Sequence, residues 1–212
     1  MKAWRPRLGI LLSGRGSNFE AIAANVLAGK LACDIGFVFS NKPDAPGLAR
    51  AQELGLPCGA LASAGVERAA FDAQVATVLK NHGVDLVCLA GYMRLLSGGF
   101  VAQFPQRILN IHPSLLPAFP GLDAQYQALV HGAKVTGCTV HFVDENLDSG
   151  PILLQSAVPI LDDDTLETLS SRILKEEHRI YSEAIGWVAQ GNYRIEGRRV
   201  VQTKDEHIRQ SL

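Results

Sequence analysis

The sequence predicts an α/β protein with a doubly wound, mostly parallel sheet that continues into an antiparallel extension. Up to residue 131, short apolar runs alternate with segments of helical periodicity, which is the pattern of parallel strands joined by crossover helices. After residue 131, two extended runs are separated only by a short acidic turn, which is typical of an antiparallel pair. We therefore expect one sheet whose pairing changes direction beyond its parallel half.

The elements of the parallel half are bounded by glycine, proline and asparagine residues. Apolar runs predict buried strands at residues 7–12, 35–40, 57–61, 86–89 and 108–112. Composition and apolar spacing predict helices at residues 19–28, 48–54, 66–81, 97–104 and 122–130. The alternation is Rossmann-like, and ligands of such sheets bind beyond the carboxyl ends of the strands.

The C-terminal part is predicted to contain a strand pair, a long helix and a small hairpin. Residues 135–143 alternate as a half-exposed strand does, and residues 152–158 are its expected partner. The long helix covers residues 165–189, with Asp164 as its cap and Glu167 as the acid of a capping box. A hairpin follows over 193–201, and the polar last ten residues are expected to be frayed.

Composition and charge narrow the range of partners. The chain has 212 residues, a length that fits one globular domain. Its formal net charge is −1, so it offers no general electrostatic attraction for nucleic acid or acidic membranes. No apolar run is long enough for a secretory signal or a membrane span. The four cysteines are widely spaced without a CxxC pair, so neither a zinc site nor a redox pair is predicted, and a reducing cytoplasm is the expected compartment.

A glycine-rich loop, Ser13–Asn18, joins the first strand to the first helix. Gly14 and Gly16 let the backbone approach an anion, and the first helical amides can donate to it, so we expect a phosphate there. The loop lacks the third glycine and the acid of a dinucleotide motif, and it lacks the Gly-Lys-Ser/Thr of a nucleotide P-loop, which argues against nicotinamide and ATP. The alternative that Ser17 only caps the helix, in a capping box with Glu20, stays open.

Asn110 and His112 lie two residues apart at the end of a predicted strand, so their side chains point to the same face. They can donate to an oxygen that becomes negative, provided that an acid from the turn 144–150 keeps the imidazole charged and oriented. No serine or cysteine lies in a nucleophile motif, so the attacking group would belong to a substrate, as an amine or water. The alternatives are two surface polar residues and an ordinary solvated turn.

Taken together, these motifs resemble the folate-dependent glycinamide ribonucleotide formyltransferases of purine synthesis. The matching segments occur in the family's order and cover most of the chain: Leu12–Asn18, Phe39–Lys42, Leu89–Arg94, Leu109–Pro117, Val140–Val143 and Leu147–Pro151. The resemblance implies a formyltransferase fold and transfer of a formyl group from 10-formyltetrahydrofolate to the amine of phosphoribosyl-glycinamide, by direct attack through a tetrahedral intermediate. It also implies small-molecule partners only, with no metal, ATP, nicotinamide, nucleic acid or membrane, and a monomer or homodimer.

The resemblance further implies roles for particular residues. Asn110 and His112 would stabilise the oxyanion, and Asp148 would keep His112 charged and assist proton transfer. The phosphate and ribose of the substrate would be held by Gly16, Ser17, Asn18, Lys175 and Glu177. Folate would be bound by Arg68, Met93, Arg94, Leu95, Leu96, Asn110, Asp144, Glu145, Asn146, Leu147 and Asp148, with His141 supporting the pocket. For Arg68 and Glu177 the alternative is plain helix-surface charge.

These roles suggest a domain division. Residues 1–192 would form one domain, with a phosphate-binding half to about residue 105 and a folate-binding and catalytic half over 106–192. Residues 193–212 would form a C-terminal hairpin and tail. The chain departs from the family's usual pattern at Asp123, where a histidine is common, at Tyr126, where an arginine is common, and at Leu174, where a polar ribose contact is common.

Relatives with the same Asn-x-His and Asp residues offer competing functions. Methionyl-tRNA formyltransferases carry an additional basic domain, whereas this chain has nearly zero net charge. Formyltetrahydrofolate hydrolases carry a second histidine after the catalytic one, whereas Pro113 stands there in this chain. A folate- or phosphate-binding module without catalysis is the third alternative, and the presence of Asn110, His112 and Asp148 argues against it.

Overall fold

The structure, a computed structural model, describes residues 5–191 and 193–203. Its strands are β1 (Arg7–Leu12), β2 (Asp34–Ser40), β3 (Cys58–Ala60), β4 (Leu86–Leu89), β5 (Ile108–His112), β6 (Val135–Phe142), β7 (Ile152–Pro159), β8 (Tyr193–Glu196) and β9 (Arg199–Gln202). Its helices are α1 (Ser17–Leu27), α2 (Pro46–Glu53), α3 (Arg68–Asn81), α4 (Gly98–Val101), α5 (Ala124–Val130) and α6 (Leu166–Gln190). Residues 204–212, which contain most of the tail predicted to be frayed, lie outside the described ranges.

The strands form one sheet in the order β3-β2-β1-β4-β5-β6-β7-β9-β8. The first five in this order pair in parallel, and β6 then pairs antiparallel with both β5 and β7. The hairpin β8–β9 extends the same sheet, because β9 pairs with β7. The predicted α/β fold with a mostly parallel sheet and antiparallel C-terminal strands is confirmed. The domain division at residue 192 stays a prediction.

Helices cover both faces of the parallel half. Leu8, Ile10 and Leu12 of β1 pack on one side with α1 and α6, and Leu11 packs on the other side with α3. Each of these leucine and isoleucine side chains has no exposed surface. A strand that is buried on both faces carries apolar residues at nearly every position, which is why these strands appear in the sequence as continuous apolar runs.

The prediction that β6 is half-exposed is wrong. Every residue of β6 after Val135 is buried. One face packs in the core through Cys138 and Val140. The other face is covered by the segment after β5, because the hydroxyl of Thr139 donates to the carbonyl of Ser114 (2.7 Å) and accepts from the amide of Leu116 (3.0 Å). Thr139 therefore satisfies polar groups of a buried loop and does not face solvent.

The capping prediction for the long helix is also wrong. Thr165 caps α6, and Thr168 completes the capping box in place of Glu167. The carboxylate of Asp164 instead accepts from both terminal nitrogens of Arg172, at 2.6 and 2.8 Å. The Thr168 hydroxyl, at the third helical position, accepts from the backbone amide of Thr165 at 3.0 Å, as a carboxylate would. The sequence signal therefore pointed one residue too early.

None of the helices in the described ranges combines the length and the apolar character that crossing a bilayer requires.

Tyr181 of α6 ties the sheet together next to the point where its pairing changes direction. The side chain is fully buried, and its hydroxyl lies 3.0 Å from the carbonyl oxygens of both Leu89 in β4 and Leu109 in β5. One hydroxyl proton is thus shared between two carbonyls of adjacent strands, beside Asn110.

We expect Tyr181→Phe to lower the free energy of unfolding by about 1–3 kcal/mol, because two buried carbonyls lose their donor while the ring still fills its site. Urea unfolding followed by circular dichroism measures this difference. Tyr126→Phe is the matched control, since that ring is 56% exposed and its change should be close to zero. Equal effects of the two substitutions would contradict the role given to the Tyr181 hydroxyl.

Candidate active site

The predicted catalytic pair lies where β5 ends, between the parallel and antiparallel parts of the sheet. Asn110 stands opposite His141 of β6, and His112 stands opposite Thr139. His112 is only 5% exposed, and Asn110 is partly buried. The alternative of two surface polar residues is therefore wrong for His112, whose imidazole must find its partners inside the protein.

Asp148 provides one of these partners. Its Oδ2 lies 3.3 Å from Nδ1 of His112 and accepts from the backbone amide of Gly121 at 2.8 Å. The Asp148 side chain is only 8% exposed, so the turn after β6 is not simply solvated at this residue. Its backbone φ of 46° is in the left-handed region, which is uncommon for a residue with a side chain. By contrast, Asp144 accepts from the amide of Asn146 within its own loop.

The partners of His112 determine the protonation form that fits the site. Nε2 lies 2.8 Å from the carbonyl oxygen of Phe119, and Nδ1 faces the Asp148 carboxylate. Both partners are acceptors, so only an imidazolium, which donates from both nitrogens, satisfies both of them. The proton positions are inferred from these partners. The site thus holds the His112 ring between a buried carboxylate and a backbone carbonyl.

His141 has the opposite chemistry although it lies beside the same carboxylate. Burial lowers the pKa of His141, against the opposing effects of the Phe142 carbonyl and of Asp148. Nδ1 lies 2.8 Å from the Phe142 carbonyl and carries the proton, which leaves Nε2 to accept from the Asn110 amide at 3.2 Å. The 3.7 Å approach of Nε2 to Asp148 is consequently not an ion pair. A neutral His141 accepts at Nε2, so it fixes the orientation of the Asn110 amide with the nitrogen towards that ring.

Most residues predicted to bind folate lie in the segment 93–96, at Asn110 and in the loop 144–148. Met93 and Leu95 are 65% and 54% exposed, and Leu147 is 52% exposed, so apolar surface is available for a flat aromatic ligand. The loop 144–148 lies between these segments: Glu145 approaches Gly98 at the start of α4, and Leu147 approaches Gly121. Leu96 differs from Met93 and Leu95, because it is partly buried and packs against the core. These placements suit a pterin ring, and the binding roles stay predictions.

Two predicted folate contacts differ from the others in their surroundings. The guanidinium of Arg94 lies 4.6 Å from the centre of the Phe71 ring, in a cation–π contact. Arg68 is exposed as the first residue of α3, which Glu67 caps by accepting from the amides of Ala69 and Ala70. The structure therefore does not bring Arg68 into contact with the Asn110–His112–Asp148 cluster.

The predicted phosphate loop lies at the same edge of the sheet, at the start of α1. Gly16 is the cap residue, with a left-handed φ of 77° and no side-chain bond to the helix. The alternative of a Ser17–Glu20 capping box is therefore wrong, and the first amides of α1 keep their capacity to donate to an anion. Ser17 is half-buried and Asn18 is buried.

Glu177 links α6 to this loop. The amide Nδ2 of Asn18 donates to its Oε2 at 2.7 Å, and the side chain is buried. Burial raises the pKa of Glu177, while the Asn18 bond acts in the opposite direction. The helix-surface alternative is thus wrong for Glu177. Lys175 is exposed, because residues two apart on a helix do not share a face.

Several supporting residues had no role in the sequence analysis. The Ser13 hydroxyl donates to Oδ1 of Asn41 (2.6 Å) and accepts from the amide of Met93 (2.8 Å), which joins the phosphate loop to the folate segment. A Cβ at Gly47 would lie 2.8 Å from Leu12 and 3.1 Å from the carbonyls of Gly14 and Arg15, so only glycine lets α2 approach this loop. The pairing of Ser13 with Asn41 lacks any signal in one sequence, because the two are brought together only by adjacent strands.

The departures from the family pattern lie on α5 and α6. Asp123 is the exposed cap residue of α5, with a left-handed φ of 56° and no side-chain bond to the helix. Tyr126 is exposed, and Leu174 is half-buried on α6. Among the described residues, Asp123 makes no hydrogen bond or ion pair with His112 or Asp148.

Neither the four cysteine thiols nor the metal-ligating side chains of the described residues form a second reactive site. Burial raises the pKa of the thiols of Cys33 to about 11 and of Cys138 to about 12, so neither is a thiolate nucleophile near neutral pH. The thiols of Cys58 and Cys88 are shifted in the same direction for the same reason. Within residues 5–191 and 193–203, three or more His, Cys, Asp or Glu side chains nowhere come together as a set of metal ligands.

Comparison with known proteins shows which family this chain matches. Residues 7–185 match the family described as formyl transferase. The chain is 42% identical to the phosphoribosylglycinamide formyltransferase of Escherichia coli (strain K12), over 88% of each protein. It is 46% identical to the trifunctional purine biosynthetic protein adenosine-3 of Drosophila melanogaster, over 88% of this chain but only 14% of that protein. The crystal structure of glycinamide ribonucleotide transformylase 1 from Symbiobacterium toebii superposes with a TM-score of 0.92 and 54% identity, over 94% of this chain and 95% of the other.

The raised pKa of Glu177 predicts a pH-dependent stability. A folded-state pKa above the ordinary value of 4.5 favours folding at low pH, and this contribution is lost as the pH rises through the folded-state pKa. Glu177→Gln cannot ionise, so its stability relative to the original chain should improve as the pH is raised from about 4 to about 8. Urea unfolding across this range measures the change. Glu183→Gln, an exposed residue of the same helix, should show no such trend, and a flat difference for Glu177→Gln would contradict the assignment.

Proposed function

The chain belongs to the formyl transferase family, and we propose that it transfers the formyl group of 10-formyltetrahydrofolate to the amine of phosphoribosyl-glycinamide in purine biosynthesis. The products are phosphoribosyl-N-formylglycinamide and tetrahydrofolate. The observation that carries the proposal is the contact of Asp148 with His112, beside Asn110 and at the same sheet edge as the loop 13–18. This edge provides an oxyanion site, an apolar surface and an anion site for two substrates.

The anion site sets the position of the attacking amine. The free amides at the start of α1 and the Ser17 hydroxyl bind the substrate phosphate, and Glu177 with Asn18 faces the ribose hydroxyls. The apolar side chains of Met93, Leu95 and Leu147 hold the pterin of the formyl donor. Bringing two substrates together in one orientation supplies a large part of the rate acceleration.

Asn110 and His112 act on the oxygen of the formyl group. As the amine nitrogen bonds to the formyl carbon, that oxygen becomes negative, and the Asn110 amide and the His112 imidazolium donate to it. The Nε2 proton of His112 is already bonded to the Phe119 carbonyl, so the formyl oxygen competes with that carbonyl for it. One N–H of the Asn110 amide donates to Nε2 of His141, and the second N–H is the donor for the formyl oxygen.

Asp148 completes the reaction by keeping His112 charged and by assisting proton movement. The attacking nitrogen loses a proton, the bond from the formyl carbon to the folate nitrogen breaks, and that nitrogen gains a proton. A buried carboxylate next to both steps can relay the proton through water. The proposal assigns no role to a metal, ATP or nicotinamide, and it places the enzyme in the cytoplasm as a monomer or homodimer.

The first test compares acceptors. The purified protein, given 10-formyltetrahydrofolate, should formylate phosphoribosyl-glycinamide, with tetrahydrofolate released in equal amount. Water and methionyl-tRNA are the competing acceptors, because relatives of this family use them. Release of formate without formylated product would establish a hydrolase, and formylation of methionyl-tRNA alone would establish the tRNA enzyme; either result would overturn the proposal.

The second test removes the oxyanion donor. We expect His112→Ala and the near-isosteric Asp148→Asn to lower kcat by about 10²–10⁴, because each removes charge stabilisation of the transition state. Binding of phosphoribosyl-glycinamide should change far less, because the loop 13–18 is untouched. His82→Ala is the matched control, because His82 ends α3 just before β4, at the opposite end of the parallel strands. This variant should retain full activity. Near-normal turnover in His112→Ala would exclude this mechanism.

A further inference from the structure

An irregular segment between β4 and α4 carries Met93, Arg94, Leu95 and Leu96, which the proposed function assigns to folate binding. Hydrogen bonds fix both ends of this segment. At its start, the amide of Met93 donates to the Ser13 hydroxyl at 2.8 Å. At its end, the amide of Ser97 donates to Oδ2 of Asp72 at 2.6 Å. Asp72 is a residue of α3 to which neither the sequence nor the proposed reaction gives a role.

The burial of Asp72 is unusual for its place in the helix. The side chain is 1% exposed, and its neighbours on the core face of α3 are the apolar residues Phe71, Val75, Ala76 and Leu79. A buried carboxylate is costly unless its oxygens have partners, so an apolar residue would suit the core of this helix better. The contact with Ser97 supplies a reason for an acid at this position.

Unpartnered polar atoms surround the same carboxylate. In the described part of the chain, Oδ1 of Asp72, the hydroxyl of Tyr92 and Nε of Arg94 are buried and lack hydrogen-bond partners. Arg94 packs on the ring of Phe71, the residue before Asp72, at 4.6 Å. Burial and the charge of Asp72 raise the pKa of Tyr92, and the charge of Arg94 opposes them. Tyr92 and Arg94 flank Met93, so an acceptor and two donors meet under the folate segment.

We propose that Asp72 is a positioning residue for the folate site. It fixes the end of the segment 93–96 through the Ser97 amide, and its second oxygen is the acceptor available to Tyr92 and Arg94 when that segment closes on the ligand. Phe71, the preceding residue, supports Arg94 through its ring, so two consecutive residues of α3 set the shape of the segment. The inference rests on the proposed function, because it assumes that this segment binds folate.

The test separates folate binding from general stability. We compare Asp72→Ala, Asp72→Asn and the control Asp85→Asn, using the full chain. Asp85 is matched because its carboxylate also accepts a backbone amide, that of Arg7 at 2.8 Å, but just before the start of β4 and away from the folate segment. The measurements are the dissociation constant for tetrahydrofolate, the KM of each substrate, kcat and the midpoint of thermal unfolding.

We expect Asp72→Ala to raise the dissociation constant for tetrahydrofolate about tenfold, and Asp72→Asn, which keeps an acceptor for Ser97 but loses the charge, about threefold. The KM for phosphoribosyl-glycinamide should change less than about twofold in both, because the phosphate loop is untouched. Asp85→Asn should bind tetrahydrofolate as the original chain does. If Asp72→Ala does not fold, Asp72→Asn carries the test alone.

Unchanged tetrahydrofolate binding in both folded Asp72 variants would overturn the inference. Equal losses in the constants for both substrates would also overturn it, because they would indicate a merely structural role. A chain that binds tetrahydrofolate but transfers no formyl group would refute the proposed function, and weakened binding in the Asp72 variants would then still support the inference. A chain that binds no tetrahydrofolate would refute both.

Discussion

The Asp148 carboxylate holds together three chain segments that the candidate site needs. It accepts from the Gly121 amide, faces His112 at the end of β5, and lies in the loop that follows β6. Its left-handed backbone turns the side chain inward, and Gly150 then passes so close to the Phe142 carbonyl that a Cβ would overlap it. Because a buried carboxylate is stable only with partners, the same contacts that orient the imidazole also keep the loop folded.

The sheet supplies the frame for this contact. Strand β5 has the parallel neighbour β4 on one side and the antiparallel neighbour β6 on the other. Residues of both the parallel and the antiparallel part of the sheet therefore lie beside Asn110 and His112. Tyr181 bonds to carbonyls of β4 and β5 at this boundary, and Glu177 on the same helix reaches the phosphate loop through Asn18. Helix α6 therefore contacts both the strand that carries Asn110 and His112 and the loop predicted to bind phosphate.

Two histidines beside one carboxylate show how local partners decide protonation. His112 faces acceptors at both ring nitrogens and fits the site as a cation, whereas His141 has one acceptor and one donor partner and fits as the neutral ring. The burial that lowers the pKa of His141 removes a competing charge from the site. One ring thus faces acceptors at both nitrogens, and the other orients an amide.

The sequence by itself determined the order of strands and helices, the glycine loop, and the placement of Asn110 and His112 on one face of a strand end. Those features depend on neighbours in the chain, through periodicity and turn chemistry. Only the tertiary structure decided that β6 is buried, that Thr165 and not Asp164 caps α6, that the Gly121 amide donates to Asp148, and that the Ser97 amide donates to the buried Asp72. Each of these depends on contacts between residues far apart in sequence, whose burial and partners are set by packing and leave no local pattern.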